Sequence, residues 1–143
     1  MIRVCFVCLG NICRSPMAEF IMKDKVNKLG ISDKFLIESR ATSYEESAND
    51  MHYGAKEMLD LNNISYSKRR ATRVESTDLD KFDYFICMDS SNYRNLSRIL
   101  GDSSKISMLL DRDVADPWYT GNFKVTYDDL CVGIDKLIKE INR

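Results

Sequence analysis

The sequence predicts an α/β fold, a small doubly wound, four-stranded parallel sheet with helices on both faces. Three observations predict it. Short strand-like apolar runs alternate with segments of helical periodicity along the chain. The first such run ends in a short loop that leads directly into a Ser-Pro helix start. No repeat, low-complexity segment or linker interrupts the 143 residues, which suits a single domain over 1–143.

Ile2 to Val7 reads as the first strand, short and buried. It runs into Cys8-Leu9-Gly10-Asn11-Ile12-Cys13-Arg14-Ser15, after which a helix begins, with Ser15 as N-cap and Pro16 at the first helical position. Ala18, Ile21, Met22, Val26 and Leu29 form its apolar face and Gly30 stops it. Phe35 to Glu38 is the second strand, and Met51, Ala55, Met58 and Leu59 mark the second helix. Tyr84 to Met88 is the third strand; Tyr93, Leu96 and Leu100 mark the third helix, ended by Gly101. Ile106 to Leu110 is the fourth strand. Tyr127, Leu130, Cys131, Ile134, Ile138 and Ile141 give the final helix, with Thr126 and Asp129 as its capping box. Strands alternating with helices make βαβ units and a parallel sheet covered on both faces, in the order of a flavodoxin-like topology. Such sheets bind ligands at the carboxyl ends of their strands, which places a site in the loop after strand one.

The formal net charge of −1 gives the chain no global pull toward nucleic acid or an anionic membrane, so any anion must be held by local geometry. The apolar opening Met1 to Val7 is too short for a signal core or a membrane span, and a cytoplasmic location is the default expectation. Five cysteines, an odd number without a secretion signal, argue for reduced thiols. Cys5 and Cys8 have CxxC spacing, but there is no second pair and one histidine only, so no metal is expected. An odd separation within a strand also sends those two side chains to opposite faces, which is unlike a redox pair.

Residues 8–15 contain Cys, five residues, Arg, then Ser, between a strand and a helix. A loop curled around a tetrahedral anion can aim successive backbone N–H groups inward, and the helix behind it adds a positive dipole end. Gly10 permits backbone angles a side chain would resist, and Arg14 offers a planar fork that matches two phosphate oxygens. Cys8 starts the loop, where the same donors would favour its thiolate beneath a phosphorus atom. Leu9, Gly10, Asn11, Ile12, Cys13, Arg14 and Ser15 are thus the expected phosphate-binding residues. An expelled phenolate leaves more easily with a proton, which a carboxylic acid across the pocket can supply. Asp111, Asp113 and Asp116 are all close in sequence, and the proline after Asp116 stiffens its loop.

Val7-Cys8-Leu9-Gly10-Asn11-Ile12-Cys13-Arg14-Ser15-Pro16-Met17-Ala18-Glu19 resembles the phosphate-binding loop of the low-molecular-weight protein tyrosine phosphatases. Phe82 to Asn92 resembles their third strand and following turn, and Asp116-Pro117-Trp118-Tyr119 resembles their general-acid loop. The resemblance covers nearly the whole chain and implies hydrolysis of phosphotyrosine and small aryl phosphates without a cofactor. It makes Cys8 the nucleophile, Arg14 the phosphate clamp, Asp116 the general acid and base, Ser15 a hydrogen-bond partner of the Cys8 thiolate, and Asn11 the residue that holds the loop in shape. Trp118 and Tyr119 become walls for the substrate ring, with Tyr44 opposite. The second loop cysteine, Cys13, becomes a resolving thiol able to form a reversible disulfide with an oxidised Cys8. The implied partner is a phosphotyrosine protein or peptide, with neither nucleic acid nor membrane, bound by a monomer or weak dimer.

The chain departs from the family where a histidine commonly braces the loop asparagine after the second helix. Lys68-Arg69-Arg70 stands there, so the brace is lost or remade, and the run reads either as a solvated face or as an attraction for acidic peptides. His52 reads as an exposed helix residue. Two related activities share the loop. Protein arginine phosphatases carry threonine where Ile12 stands and lack the aromatic pair after Asp-Pro. Thioredoxin-coupled arsenate reductases need two further, neighbouring cysteines, whereas Cys87 and Cys131 lie in a strand and the final helix.

Overall fold

Burial on both faces of the first strand sets the architecture. In the computed structural model, which describes residues 1–142, β1 (Ile2–Cys8) has Val4, Phe6 and Cys8 on one side, packed with Met17, Ile21, Leu59, Leu130 and Ile134. Cys5 and Val7 face the other side, against Phe82, Phe85, Leu96 and Ile106. The period of two that makes this double core also separates Cys5 from Cys8.

After β1 come α1 (Arg14–Lys28), β2 (Phe35–Ala41), α2 (Tyr53–Leu61) and the short α3 (Asp78–Lys81). They are followed by β3 (Tyr84–Cys87), α4 (Ser90–Leu100), β4 (Ile106–Met108), the short α5 (Pro117–Thr120) and α6 (Phe123–Ile141). All strand neighbours are parallel, in the order β2-β1-β3-β4. The connection from β1 leads outward to β2 on one side, and the chain returns to β3 on the other. The carboxyl end of β1 is therefore the point where the winding reverses, and a crevice opens there. On one face α1, α2 and α6 pack together; α4 lies on the other, against β3 and β4.

Element identity follows the sequence pattern, whereas several ends differ. The Ser-Pro start predicts Ser15 as N-cap, but α1 begins at Arg14 and Ser15 lies within its first turn, fully buried. Its hydroxyl lies 3.0 Å from the Cys8 sulfur and does not cap the helix backbone. β2 runs on to Ala41 because Ser39 and Arg40, polar by type, have partners beside the loop and along the sheet edge. β4 stops at Met108, and Leu29, expected on the apolar face of α1, is 62% exposed at its end. The final helix begins at Phe123 with Asn122 as cap, its side-chain oxygen accepting from Val125 N–H at 3.2 Å. Thr126 and Asp129 are not a capping box. Thr126 donates to Ala115 O at 2.8 Å, and Asp129 receives Arg112 at 2.8 and 3.0 Å. The reciprocal capping box lies on α4, between Asp89 and Asn92. Among the described residues no helix is long and apolar enough to cross a membrane.

Candidate active site

The loop from Cys8 to Ser15 turns back on itself at Asn11, whose φ of 58° is left-handed although it carries a side chain. Such a backbone costs about 1–3 kcal/mol and persists only where the surroundings enforce it. Here the side-chain amide is held at every hydrogen-bonding position. Asn11 Nδ2 donates to Ser15 Oγ at 2.7 Å and to Ser39 Oγ at 2.9 Å. Asn11 Oδ1 accepts from Thr72 N–H at 3.2 Å and from Arg69 Nη2. Ser39 passes its own hydrogen to Glu19 Oε1 at 2.6 Å.

This clamp determines what reaches the sulfur. Asn11 N–H points at Cys8 Sγ at 3.3 Å, and Ser15 Oγ lies 3.0 Å from it. Ser15 Oγ already accepts from Asn11, so its hydrogen is available to the sulfur. A thiolate, which has no hydrogen of its own, accepts both bonds. Cys8 is 4% exposed at the floor of the cavity.

Arg14, in the first turn of α1, is 3% exposed and points its guanidinium across the crevice. Nη1 donates to Asp89 Oδ2 at 2.8 Å and to Val114 O at 3.1 Å; Nη2 donates to Asp116 Oδ2 at 3.2 Å. Burial works against its charge, but the Cys8 sulfur and the Asp116 and Asp89 carboxylates outweigh burial and hold its pKa above the ordinary arginine value. Asp89 is fixed in turn, since its Oδ1 accepts from Asn92 N–H at 2.7 Å in the capping box. The pairing of Arg14 with Asp89 is absent from the sequence expectations. The Asp89/Asn92 spacing signals the cap but not the ion pair.

The cavity above the loop has a volume of about 150 Å³. Its floor comprises Cys8, Leu9, Gly10, Ile12, Cys13 and Arg14. Asp116, Trp118 and Tyr119 stand on one side. Of the three nearby aspartates, Asp116 is the one that lines it, while Asp113 accepts from Ser90 N–H at 3.0 Å and Asp111 is exposed. Asn11 and Ser15 act from behind the floor and do not line the cavity.

The opposing wall differs from expectation. Tyr44 does not line the cavity; it is 68% exposed, with the Arg73 guanidinium 4.7 Å over its ring. Glu45 and Glu46 take that side. Glu46 packs against the bare backbone of Gly10, where a Cβ would come within 3.3 Å of its Cγ, and accepts from Asn49 Nδ2 at 2.6 Å. Neither glutamate makes an ion pair among the described residues. His52 is not an exposed helix residue either. It is half-buried and caps α2, its Nδ1 accepting from Gly54 N–H at 3.0 Å.

The basic run divides. Lys68 and Arg70 are exposed, whereas Arg69 turns inward to Asn11 Oδ1 and remakes the brace with a guanidinium. Burial lowers the Arg69 pKa, with Glu19, Asp50 and Cys8 opposing. All five cysteines are free thiols. Burial, reinforced by the neighbouring Cys8 and Asp116, pushes the Cys13 thiol up to about 12, and burial likewise pushes Cys87 up to about 12.

Three comparisons with known proteins agree. The family model described as low molecular weight phosphotyrosine protein phosphatase matches residues 3–143. The low molecular weight protein-tyrosine-phosphatase YfkJ of Bacillus subtilis is 40% identical, over 100% of this chain and 97% of its own length. PtpA of Staphylococcus aureus, under the same description, is 38% identical over 99% and 94%. Among solved structures, the low molecular weight protein tyrosine phosphatase SP-PTP of Streptococcus pyogenes has a TM-score of 0.93 at 43% identity, covering 99% of this chain and 93% of that one. The B. subtilis YfkJ structure reaches a TM-score of 0.96 at 40% identity, covering 99% and 95%.

The clamp on Asn11 generates a prediction. Arg69→Ala removes one of the two donors to Asn11 Oδ1, leaves that oxygen with Thr72 N–H alone, and should lower kcat by about tenfold through a loosened loop. Arg69→His, which can still donate to Oδ1, should retain most of the rate. Steady-state kinetics with an aryl phosphate check both, and equal losses in the two variants would show that the hydrogen bond to Asn11 is not what matters.

Proposed function

This chain belongs to the low molecular weight phosphotyrosine protein phosphatase family, and from that premise we propose that it hydrolyses phosphotyrosine and small aryl phosphates through a phosphocysteine on Cys8. The observation that carries this reading is the meeting of the Cys8 sulfur, the Arg14 guanidinium and the Asp116 carboxylate in one cavity.

In the first step the Cys8 thiolate attacks phosphorus and the P–O bond to the aryl group breaks. Asp116 gives its proton to the leaving oxygen, so the product is a neutral phenol. In the second step the Asp116 carboxylate takes a proton from water as the water oxygen attacks phosphorus. The P–S bond breaks, and inorganic phosphate and the thiolate are released. Arg14 meets the phosphoryl oxygens throughout. Nη1 stays anchored on Asp89 and Val114, whereas Nη2 exchanges its bond to Asp116 for one to phosphate, which frees that carboxylate to reach the leaving oxygen. Ser15 and Asn11 N–H stabilise the sulfur anion when it leaves.

Trp118 and Tyr119 give the substrate ring an aromatic wall, which favours an aryl over an alkyl phosphate. Glu45 and Glu46, without cationic partners among the described residues, favour a basic flank on the substrate peptide. Cys13 sits in the same floor, where burial, reinforced by Cys8 and Asp116, keeps its thiol protonated. Once peroxide has oxidised Cys8, the reduced Cys13 sulfur displaces hydroxide from the Cys8 sulfenic acid as water, closing a disulfide that a dithiol reductant reopens.

Cys8→Ser should lose turnover while still binding phosphotyrosine peptides, more tightly with lysine or arginine flanks than with acidic ones, and more tightly than phosphoserine or phosphoarginine peptides. Isothermal titration measures all three contrasts, and tighter binding of phosphoarginine would reassign the substrate.

Asp116→Asn should slow phenyl phosphate by about 10²–10⁴-fold and activated aryl phosphates far less. A flat dependence on leaving-group pKa would assign Asp116 a structural role.

After mild peroxide, wild type should yield a Cys8–Cys13 disulfide on non-reducing peptide mapping and regain activity with dithiothreitol. Cys13→Ser should recover poorly, and recovery equal to wild type would reduce Cys13 to a packing residue.

A further inference from the structure

His52, the one histidine of the chain, sits where three parts of the site meet. Its backbone N–H donates to Ile12 O of the phosphate loop at 2.8 Å. Its Nδ1 accepts from Gly54 N–H at 3.0 Å, which fixes the rotation of the ring. Tyr53 stacks on that ring at 4.4 Å between centroids, and Phe123 at 5.4 Å with only 17° between planes. Trp118 meets it edge-on, at 6.4 Å and 81°. Gly54 leaves the room for this arrangement, since a Cβ there would run into the Phe123 ring.

Trp118 and Phe123 are not arbitrary neighbours. Trp118 N–H donates to Asp116 Oδ1 at 3.0 Å, and Phe123 opens α6 directly after the acid-bearing turn. α5 is four residues long and cannot hold its own position. Its two aromatic side chains are 64% and 81% exposed, and the ring contact of Trp118 is with His52.

We propose that His52 is a positioning residue for the general acid. Its imidazole is the shelf on which Trp118 and Phe123 rest, and its backbone bond to Ile12 ties that shelf to the phosphate loop. The shelf thereby fixes how far Asp116 stands from the phosphorus. The inference rests on Asp116 being the acid, and it adds a reason why a four-residue turn delivers its proton to one place.

The test separates ring from cap. In His52→Asn the side-chain oxygen can still accept from Gly54 N–H, so α2 keeps its cap while the ring is lost. Its kcat should fall about tenfold with phenyl phosphate and less than about twofold with an activated aryl phosphate, with KM unchanged for both. Emission from Trp118, the one tryptophan, should shift to the red and become more quenchable by acrylamide. His52→Phe keeps a ring but loses the acceptor; it should melt lower than wild type and yet retain the wild-type leaving-group profile. Equal losses of His52→Asn on both substrates, or no loss, would overturn the shelf, as would a His52→Phe profile as steep as that of His52→Asn. Asp116→Asn measured alongside distinguishes the failures. A flat profile there removes the acid itself, whereas a steep one beside a flat His52→Asn removes only the shelf.

Discussion

The bonded amide of Asn11 is the constraint on which the rest of the site depends. A left-handed turn at a residue with a side chain costs about 1–3 kcal/mol, and a buried amide left without partners costs about as much again. Four hydrogen bonds leave no position of the amide unpartnered, and at about 0.5–1.5 kcal/mol net each they offset the turn. Their partners come from α1, β2 and the segment after α2, so the loop is not a local motif that folds by itself. It is shaped by two distant pieces of chain, β2 and the segment after α2, that must already be in place. The same clamp orients Ser15 and the Asn11 N–H toward the sulfur, so the loop geometry and the hydrogen bonds to the sulfur share one cause.

Arg14 carries the second constraint. A guanidinium taken out of water is costly unless paired, and here two carboxylates and a carbonyl receive it. The pairs are unequal. Asp89 is locked by its own capping box and lies closer, at 2.8 Å; Asp116 sits on a short, solvent-facing turn at 3.2 Å. One bond therefore anchors the cation and the other can be exchanged for a phosphate oxygen. In the proposed reaction the same residue pair that stabilises the resting site serves as clamp and acid.

The order of elements, the parallel sheet and the position of the site were legible because they follow from short-range periodicity and from where such sheets leave a crevice. The Cys8 to Ser15 segment was legible because its chemistry is contiguous. What was not legible comes from distance along the chain. Arg69 lies 58 residues from Asn11, and nothing in Lys68-Arg69-Arg70 tells which of three cations turns inward. Asp89 reads as a helix cap, and its partnership with Arg14, 75 residues away, appears only when the β3 and β1 ends meet. Ser15 is not the cap its residue type suggests, because its hydroxyl makes the contact with the Cys8 sulfur, at 3.0 Å, that the family resemblance implies. Tyr44 fits a substrate wall by type as well, yet Arg73 holds it outside while Glu46 packs over Gly10.

The placement of Asp116 has its own logic. Asp116 is at once the cap of α5 and a cavity residue: Oδ1 takes Trp118 N–H, and Oδ2 alone faces Arg14. With one oxygen bound to its own helix turn, the carboxylate cannot swing freely, and moving it means moving α5 as a unit. Pro117 stiffens the entry to that turn, and Gly121, at a φ of 69°, closes it with its N–H on Pro117 O at 2.8 Å. A four-residue helix so built depends on tertiary contacts for its place in the fold. The ring contact of Trp118 with His52 and the stack of Phe123 on the same imidazole lie outside the Asp-Pro motif, so the motif alone does not show where the Asp116 carboxylate stands.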